Sequence, residues 1–224
     1  MADIAWPADL VPYRVMFYLQ PHIGGQESPF TRTRKVYGLS APRWIARLTF
    51  RGGYEGAPLT GNAAGFGPRL DSLIADLQGG LNKAVFHDFR RPRPLQAQQI
   101  AAALTIDAAP AGASFVVMRG FAPRGRAFSA GDYIGGDGRP HIVSLAATLV
   151  AGGTVSGAGT ILADATGAAI IGINPPLSQA ISGGAVPRWP VTGRFDLTGE
   201  DAGQNETTVG EASEYTLDFV EDLL

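Results

Sequence analysis

The segment HDFRRPRP, residues 87–94, contains the side chains best suited to chemistry in this sequence. Histidine and aspartate serve in acid–base catalysis, and arginine suits the binding of phosphate, nucleic acid or a carboxylate-bearing surface. His87 and Asp88 are adjacent, however, and adjacent residues of a strand point to opposite faces. We therefore do not expect them to act together on one substrate.

The arginines of this segment are predicted to lie in a stiff loop. Pro92 and Pro94 fix their own φ angles, lack backbone N–H donors and restrict Arg91 and Arg93 to extended conformations. RRPRPLQ should therefore leave the strand AVFHDF as an extended loop. That loop is either solvated or carries its arginines to a contact with carboxylates. Nucleic-acid recognition is less favoured, because no set of aromatic stacking residues flanks the arginines in the manner of single-strand binders.

No other catalytic residue, metal site or cofactor site is expected. The histidines His22, His87 and His141 lack the short spacing of a typical metal site. The sequence has no cysteine and no G-x-S-x-G motif, and Leu162 stands where a dinucleotide-binding loop needs Gly or Ala. An enzyme is disfavoured. A pocket that joins His87 or His141 to a carboxylate at hydrogen-bond distance would revive that alternative.

The composition predicts a soluble globular protein. Hydrophobic residues make up 45% of the 224 residues, and a net charge of −2 argues against a dedicated nucleic-acid binder, which needs an excess of Lys and Arg. The absence of cysteine fits a reducing cytoplasm. The N-terminus has no basic region followed by an apolar run, and no stretch approaches the ~18 apolar residues of a membrane helix. Neither a secretion signal nor a membrane partner is expected.

Charge is segregated along the chain. Residues 28–54 contain basic but no acidic residues, and residues 195–224 contain acidic but no basic residues. The two segments either form independent solvated faces or meet, within one subunit or between neighbours. In the second case, complementary potentials would set their orientation.

Alternation of apolar and polar residues predicts a mainly β protein. RWIARLTFR and EYTLDFVED both have a period of two, which puts one set of residues on a buried face and the arginines of the first segment mostly outward. The predicted inward-facing residues are Trp44, Ala46, Leu48, Phe50, Tyr215, Leu217 and Phe219. Further predicted strands are YRVMFYLQ, AVFHDF, SFVVMRGF, HIVSLAATL, GTILAD and AAIIGI.

One amphipathic helix is predicted at residues 68–79. Pro68 suits its first turn, and Gly79 and Gly80 supply a left-handed stop. Its apolar stripe at helical spacing should pack against the sheet, and consists of Leu70, Leu73, Ile74 and Leu77. The predicted fold is therefore a β-sandwich with one packed α-helix. A shift to Ala, Gly, Val and Ile with little charge predicts a small, β-barrel-like module inserted at residues 113–186, so that the first domain comprises residues 1–112 and 187–224.

The order of these segments resembles the distal tail and minor tail proteins of long-tailed, siphovirus-type bacteriophages and of gene transfer particles. The resemblance covers nearly the whole chain, as an order of short segments. In chain order these are WPADLVPYRVMFYLQP, the helix and loop LDSLIADLQGGLNKAVFHDFRRPRP, the GAS…GF…AGDYI hairpin, the NPPL turn and a closing strand that ends in FVED.

The resemblance implies a structural virion protein that forms a ring, commonly a hexamer, and joins the tail tube to the hub or baseplate. Implied partners are copies of the chain itself and the tail tube, hub and tape-measure proteins, in a virion tail assembled in the host cytoplasm. The family contributes no catalytic residue and no cofactor. An alternative is a tail-associated carbohydrate- or receptor-binding β module at residues 113–186, although that segment has few aromatic residues.

A ring of identical subunits needs an interface in which one patch meets a different patch on the next copy. We predict that arginines line the subunit contacts or the central channel and that acidic residues near the C-terminus are their partners. The arginines are Arg32, Arg34, Arg43, Arg47, Arg51, Arg90, Arg91 and Arg93. The acidic residues are Glu211, Glu214, Asp218, Glu221 and Asp222. Replacing Arg90, Arg91 and Arg93 with serine is expected to weaken assembly and leave the monomer folded.

Overall fold

The computed structural model describes residues 1–53, 67–95, 103–199, 202 and 213–223. Its strands are β1 (Asp3–Ala5), β2 (Arg14–Glu27), β3 (Arg34–Gly53), β4 (Lys83–His87), β5 (Thr105–Ile106), β6 (Phe115–Arg119), β7 (Arg126–Ser129), β8 (Tyr133–Ile134), β9 (His141–Val143), β10 (Thr154–Val155), β11 (Thr160–Leu162), β12 (Ala168–Asn174), β13 (Thr192–Leu197) and β14 (Ser213–Glu221). The helices are α1 (Gly67–Leu77), with a 3-10 turn at Gln78–Gly80, and α2 (Leu145–Val150). The prediction of a mainly β fold is confirmed, and the curled sheets form half-barrels.

The chain divides into two compact units. The first contains Met1–Val85 and Phe195–Leu224, and the second contains Phe86–Arg194. The second unit is larger than the insertion predicted at residues 113–186. The difference arises because β5 pairs with β6 and Ile106 bridges Ala185, which brings residues that precede position 113 into the second unit's sheet.

A six-stranded sheet organises the first unit, in the order β1-β4-β13-β14-β3-β2. β14 runs antiparallel between β13 and β3, and β2 pairs with β3 as the outermost strand. The predicted inward face of β3 and β14 is confirmed, because all seven side chains named for it are buried. Arg43, Arg47 and Arg51 are exposed, as alternation requires.

Helix α1 lies close to the predicted boundaries. Leu70, Leu73 and Leu77 are buried, and Tyr215 of β14 donates a hydrogen bond of 3.0 Å to the Asp71 carboxylate. Gly80 ends this segment with φ near +93°, and a Cβ at this position would lie 2.9 Å from the Leu197 carbonyl oxygen. Glycine therefore provides both the left-handed stop and the close approach to β13.

The second unit contains a five-stranded sheet, β5-β6-β12-β9-β8, and a three-stranded sheet, β10-β11-β7. Its core is built from aliphatic and aromatic side chains between Leu104 and Ile181. The prediction of one helix was wrong, because the segment HIVSLAATL forms β9 and then enters α2. Ser144 is extended and its hydroxyl accepts from the Ala147 N–H, so it acts as an N-cap and the following Leu/Ala run becomes helical.

Candidate functional site

The outer half of the β2–β3 ribbon, residues 20–43, is highly exposed and is called here the distal hairpin. Strand β14 pairs with β3 only as far as Ile45, opposite Val220. Beyond that point β3 has β2 as its neighbour, from Gln20 opposite Arg43 to Glu27 opposite Arg34. At ~3.4 Å per residue, this two-stranded ribbon extends for about 25 Å.

The distal hairpin exposes apolar side chains. Nearly every residue from Gln20 to Ala41 is exposed, with only Gly24 and Ser28 half-buried. Phe30 at the tip is 95% exposed, and four further apolar side chains are about half exposed, namely Ile23, Val36, Tyr37 and Leu39. Isolated two-stranded hairpins are marginally stable in water, so a ribbon with this surface gains stability when something covers it.

The tip of the distal hairpin nevertheless has a defined backbone. The Ser28 N–H donates to the Thr33 carbonyl at 3.0 Å, and the Arg32 N–H donates to the Ser28 carbonyl at 2.9 Å. Arg32 itself has φ near +54°, in the left-handed region. These bonds hold the loop that presents Phe30, so its exposed ring is carried on an ordered turn.

The distal hairpin is basic. Arg32, Arg34, Lys35 and Arg43 lie in it, and Glu27 is its only acidic residue in the sequence. Arg34, Lys35 and Arg43 are exposed strand residues, and Arg32 lies in the exposed tip. Four of the six basic residues between positions 28 and 54 therefore lie on the distal hairpin.

The acidic residues predicted as intersubunit partners mostly have partners in their own chain. Asp218 forms a two-bond pair with the exposed Arg47 at 2.6 and 3.0 Å, and Glu214 accepts from the Tyr13 hydroxyl. Glu221 is buried and accepts from the Trp44 N–H at 2.9 Å. Asp222 is half-buried, and Glu211 lies outside the described residues. Arg51 lies 5.3 Å from the centroid of the Tyr13 ring, a cation–π contact.

In the second unit, the predicted loop of arginines is present as residues 89–95, called here the arginine loop. Arg90 donates from Nε and Nη2 to both oxygens of the buried Asp88, at 2.8 to 3.2 Å. Arg91 donates from Nη1 to the Gly131 carbonyl at 2.8 Å. Arg93 has no hydrogen bond or ion pair within the part of the chain that the structure describes. The predicted role of this loop at a subunit contact stays a prediction.

His87 and Asp88 do not form a working pair. Asp88 is buried and accepts from Arg90 and from the Tyr133 hydroxyl at 3.0 Å, whereas His87 is half-buried with its ring 4.7 Å from the Phe89 ring centroid. Burial lowers the pKa of His87, and the charge of Asp88 opposes this shift. Asp88 thus anchors the start of the arginine loop.

A buried polar cluster in the second unit was not predicted. The Asp137 carboxylate contacts His141 Nε2 at 2.7 Å and accepts from the Ser178 N–H and hydroxyl at 2.8 and 2.9 Å. Ser178 therefore bonds to the aspartate and not to the imidazole, unlike the order in a serine-hydrolase triad. The side chains of Asp137 and His141 are at most 1% exposed, so substrate does not reach them in this conformation. The cluster holds the loop before β9 to the segment after β12.

No protein-family model matches the sequence, and no curated protein is significantly similar to it. Across residues 1–53, 67–95, 103–199, 202 and 213–223, no group of three His, Asp or Glu side chains could hold a metal ion. Over the same residues, neither helix is long and apolar enough to cross a membrane.

Proposed function

We propose that the chain is a structural subunit that docks onto copies of itself through the distal hairpin and forms a ring in a phage-type tail tip. The ring would join the tail tube to the hub or baseplate, with the tape-measure protein as a further partner. The tail context comes from the resemblance of the segment order to distal tail proteins. Self-association is supported by one observation, the exposed apolar and basic distal hairpin.

The physical case for docking is the surface that the distal hairpin leaves in water. Full burial of one large apolar side chain stabilises a complex by about 1.5–3 kcal/mol, and Phe30 at the tip is almost fully available for this. Aromatic and arginine side chains are also those that most often dominate binding energies at interfaces. Phe30, Tyr37 and Arg32 provide both types on one element.

A second copy is the occupant that the charge pattern favours. A head-to-tail contact between identical subunits needs two complementary patches on one chain. The distal hairpin is basic, and residues 195–224 carry only acidic charge in the same sequence. Asp218 is already paired with Arg47 in its own chain, and Glu221 accepts from the Trp44 N–H. The basic side of the contact is therefore assigned to Arg32, Arg34 and Lys35, and not to an Arg47–Asp218 pair formed between two subunits.

The test is the oligomeric state of a variant with a polar distal hairpin. Ile23→Ser, Phe30→Ser and Tyr37→Ser should be combined, because these side chains have no role in the buried core. Wild-type protein should form rings or other closed oligomers by multi-angle light scattering and negative-stain microscopy. The variant should be monomeric with an unchanged circular dichroism spectrum.

The matched control is Leu149→Ser with Val150→Ser, which also removes exposed apolar side chains but in the second unit. This variant should assemble like the wild type. A wild-type chain that stays monomeric at high micromolar concentration would contradict the proposal. Equal assembly of the hairpin variant and the wild type would also contradict it.

A further inference from the structure

The arginine loop borders a small cavity of the second unit. The cavity has a volume of about 240 Å³ and is lined by Arg90, Arg91, Pro92, Arg93, Leu95, Ala130 and Asp132. Ligand sites for drug-sized molecules usually measure ~300–1,000 Å³. This cavity therefore suits one small group, such as an anion or the charged end of a longer molecule.

Two of the three arginines are held in place before any ligand arrives. Both oxygens of the buried Asp88 fix Arg90, and Asp88 is itself held by the Tyr133 hydroxyl and the Arg90 N–H. Arg91 is fixed by the Gly131 carbonyl, and a Cβ at position 131 would overlap with Nη1 of Arg91. Guanidinium groups held in this way lose little conformational entropy when they bind an anion.

The third arginine supplies positive charge that no described residue neutralises. Arg93 stands between Pro92 and Pro94, which restrict its backbone, and its guanidinium has no ion pair among the described residues. Asp132, the other charged residue of the lining, is buried, and its two oxygens accept from the N–H groups of Leu95 and Ser129 at 3.0 and 2.8 Å. The three cations and the carboxylates of Asp88 and Asp132 leave a net positive charge of one at the cavity.

The geometry points to a binding site for a phosphate group in this cavity, with Arg93 as the main contact and Arg91 and Arg90 as preset donors. A phosphate monoester has three terminal oxygens and free phosphate has four, and they point in different directions, whereas the two oxygens of a carboxylate lie in one plane. Three guanidinium groups around one cavity therefore match a phosphate better. The site lies within the second unit and does not depend on assembly through the distal hairpin.

The test is calorimetric titration of the full chain, in a phosphate-free buffer of low ionic strength, with inorganic phosphate and with glycerol 3-phosphate. Saturable binding of at least one is expected. Arg93→Gln should weaken it about ten-fold or more, because a charge-assisted hydrogen bond is lost. Tighter binding of glycerol 3-phosphate would identify a phosphate ester as the source, and tighter binding of inorganic phosphate would identify free phosphate.

The matched control is Arg124→Gln, which removes an exposed guanidinium of the same unit outside the cavity. It should leave phosphate binding unchanged. Three results would overturn the assignment: no saturable binding of either compound at millimolar concentration, equal effects of the two substitutions, or acetate binding as tightly as phosphate. A circular dichroism spectrum and a thermal midpoint matching the wild type confirm that Arg93→Gln is folded.

Discussion

Oδ1 of Asp137 lies 2.7 Å from Nε2 of His141, and both side chains are almost completely buried. The other imidazole nitrogen, Nδ1, lies 2.7 Å from the Pro175 carbonyl oxygen. The imidazole therefore connects the Asp137 carboxylate, before β9, to the segment that follows β12. This buried pair fastens two parts of the second unit.

Stability should fall when Asp137 is protonated. Burial raises the pKa of Asp137, but hydrogen bonds from His141 and Ser178 outweigh it and lower the pKa to about 2. An unfolded aspartate has a pKa near 3.9, so the contribution is complete above about pH 4 and is lost as the pH falls through 2. The difference corresponds to about 2–3 kcal/mol. Urea denaturation measures the decrease in the free energy of unfolding between pH 4.5 and pH 2. This decrease should be about 2–3 kcal/mol smaller for Asp137→Asn than for the wild type. Parallel curves for the two proteins would contradict this.

Neutralising two acidic residues of β14 should lower the free energy of unfolding by very different amounts. Glu221 is 2% exposed and accepts from a buried N–H, so Glu221→Gln should lower the free energy of unfolding by about 1–3 kcal/mol. Asp218 forms an exposed pair with Arg47, and such pairs contribute at most about 1 kcal/mol. Chemical denaturation of Asp218→Asn and Glu221→Gln compares them directly. An equal cost for both substitutions would mean that burial does not decide the effect.

The sequence contains the signal that separates these two acids. Alternation along β14 places Glu221 on the same face as Tyr215, Leu217 and Phe219, and Asp218 on the other. The prediction treated both as surface partners, because it did not extend the alternation past Phe219 to Glu221. The period of two correctly predicted the buried face of β3, where that face is uniformly apolar. Helical spacing predicted the buried stripe of α1, except that Ile74 is only half-buried.

Other features depend on contacts between distant segments, which a single sequence does not display. β5 has only two residues, and it joins the second unit because it pairs with β6. Asp137 precedes β9 and His141 begins it, but their remaining partners, Pro175 and Ser178, come from a segment about 40 residues away. Asp137-Gly138 is a dipeptide typical of hairpin turns, and it lies between the antiparallel strands β8 and β9. An Asp-Gly pair does not indicate that the Asp137 carboxylate also binds His141 and Ser178.

The packing of α2 on β12 should not tolerate a side chain at Gly172. The Ser144 N–H donates to the Gly172 carbonyl at 2.8 Å, and the Gly172 N–H donates to the Thr148 hydroxyl at 2.7 Å. A Cβ at Gly172 would overlap with backbone atoms of Ala147 and Thr148. Gly172→Ala should therefore cost about 3 kcal/mol or more, because the helix must move off the sheet. Gly157→Ala, where the added Cβ meets open space, should change the unfolding free energy by less than about 0.5 kcal/mol. Similar thermal midpoints for the two variants would disprove this account of the packing.

The arginines of the arginine loop should separate into structural and functional positions. Arg90→Ser removes three hydrogen bonds from the buried Asp88 carboxylate, so it should lower the free energy of unfolding by about 1–3 kcal/mol. Arg93→Ser removes a guanidinium that has no partner among the residues that the structure describes, and it should cost less than about 0.5 kcal/mol. A variant with serine at positions 90, 91 and 93 would therefore lose stability as well as any subunit contact, and the two effects could not be separated. The double variant Arg91→Ser with Arg93→Ser keeps the Arg90–Asp88 pair and is the cleaner test of a subunit contact. Urea denaturation gives the stabilities and light scattering gives the assembly state. If Arg90→Ser is as stable as Arg93→Ser, Asp88 does not anchor the loop through Arg90.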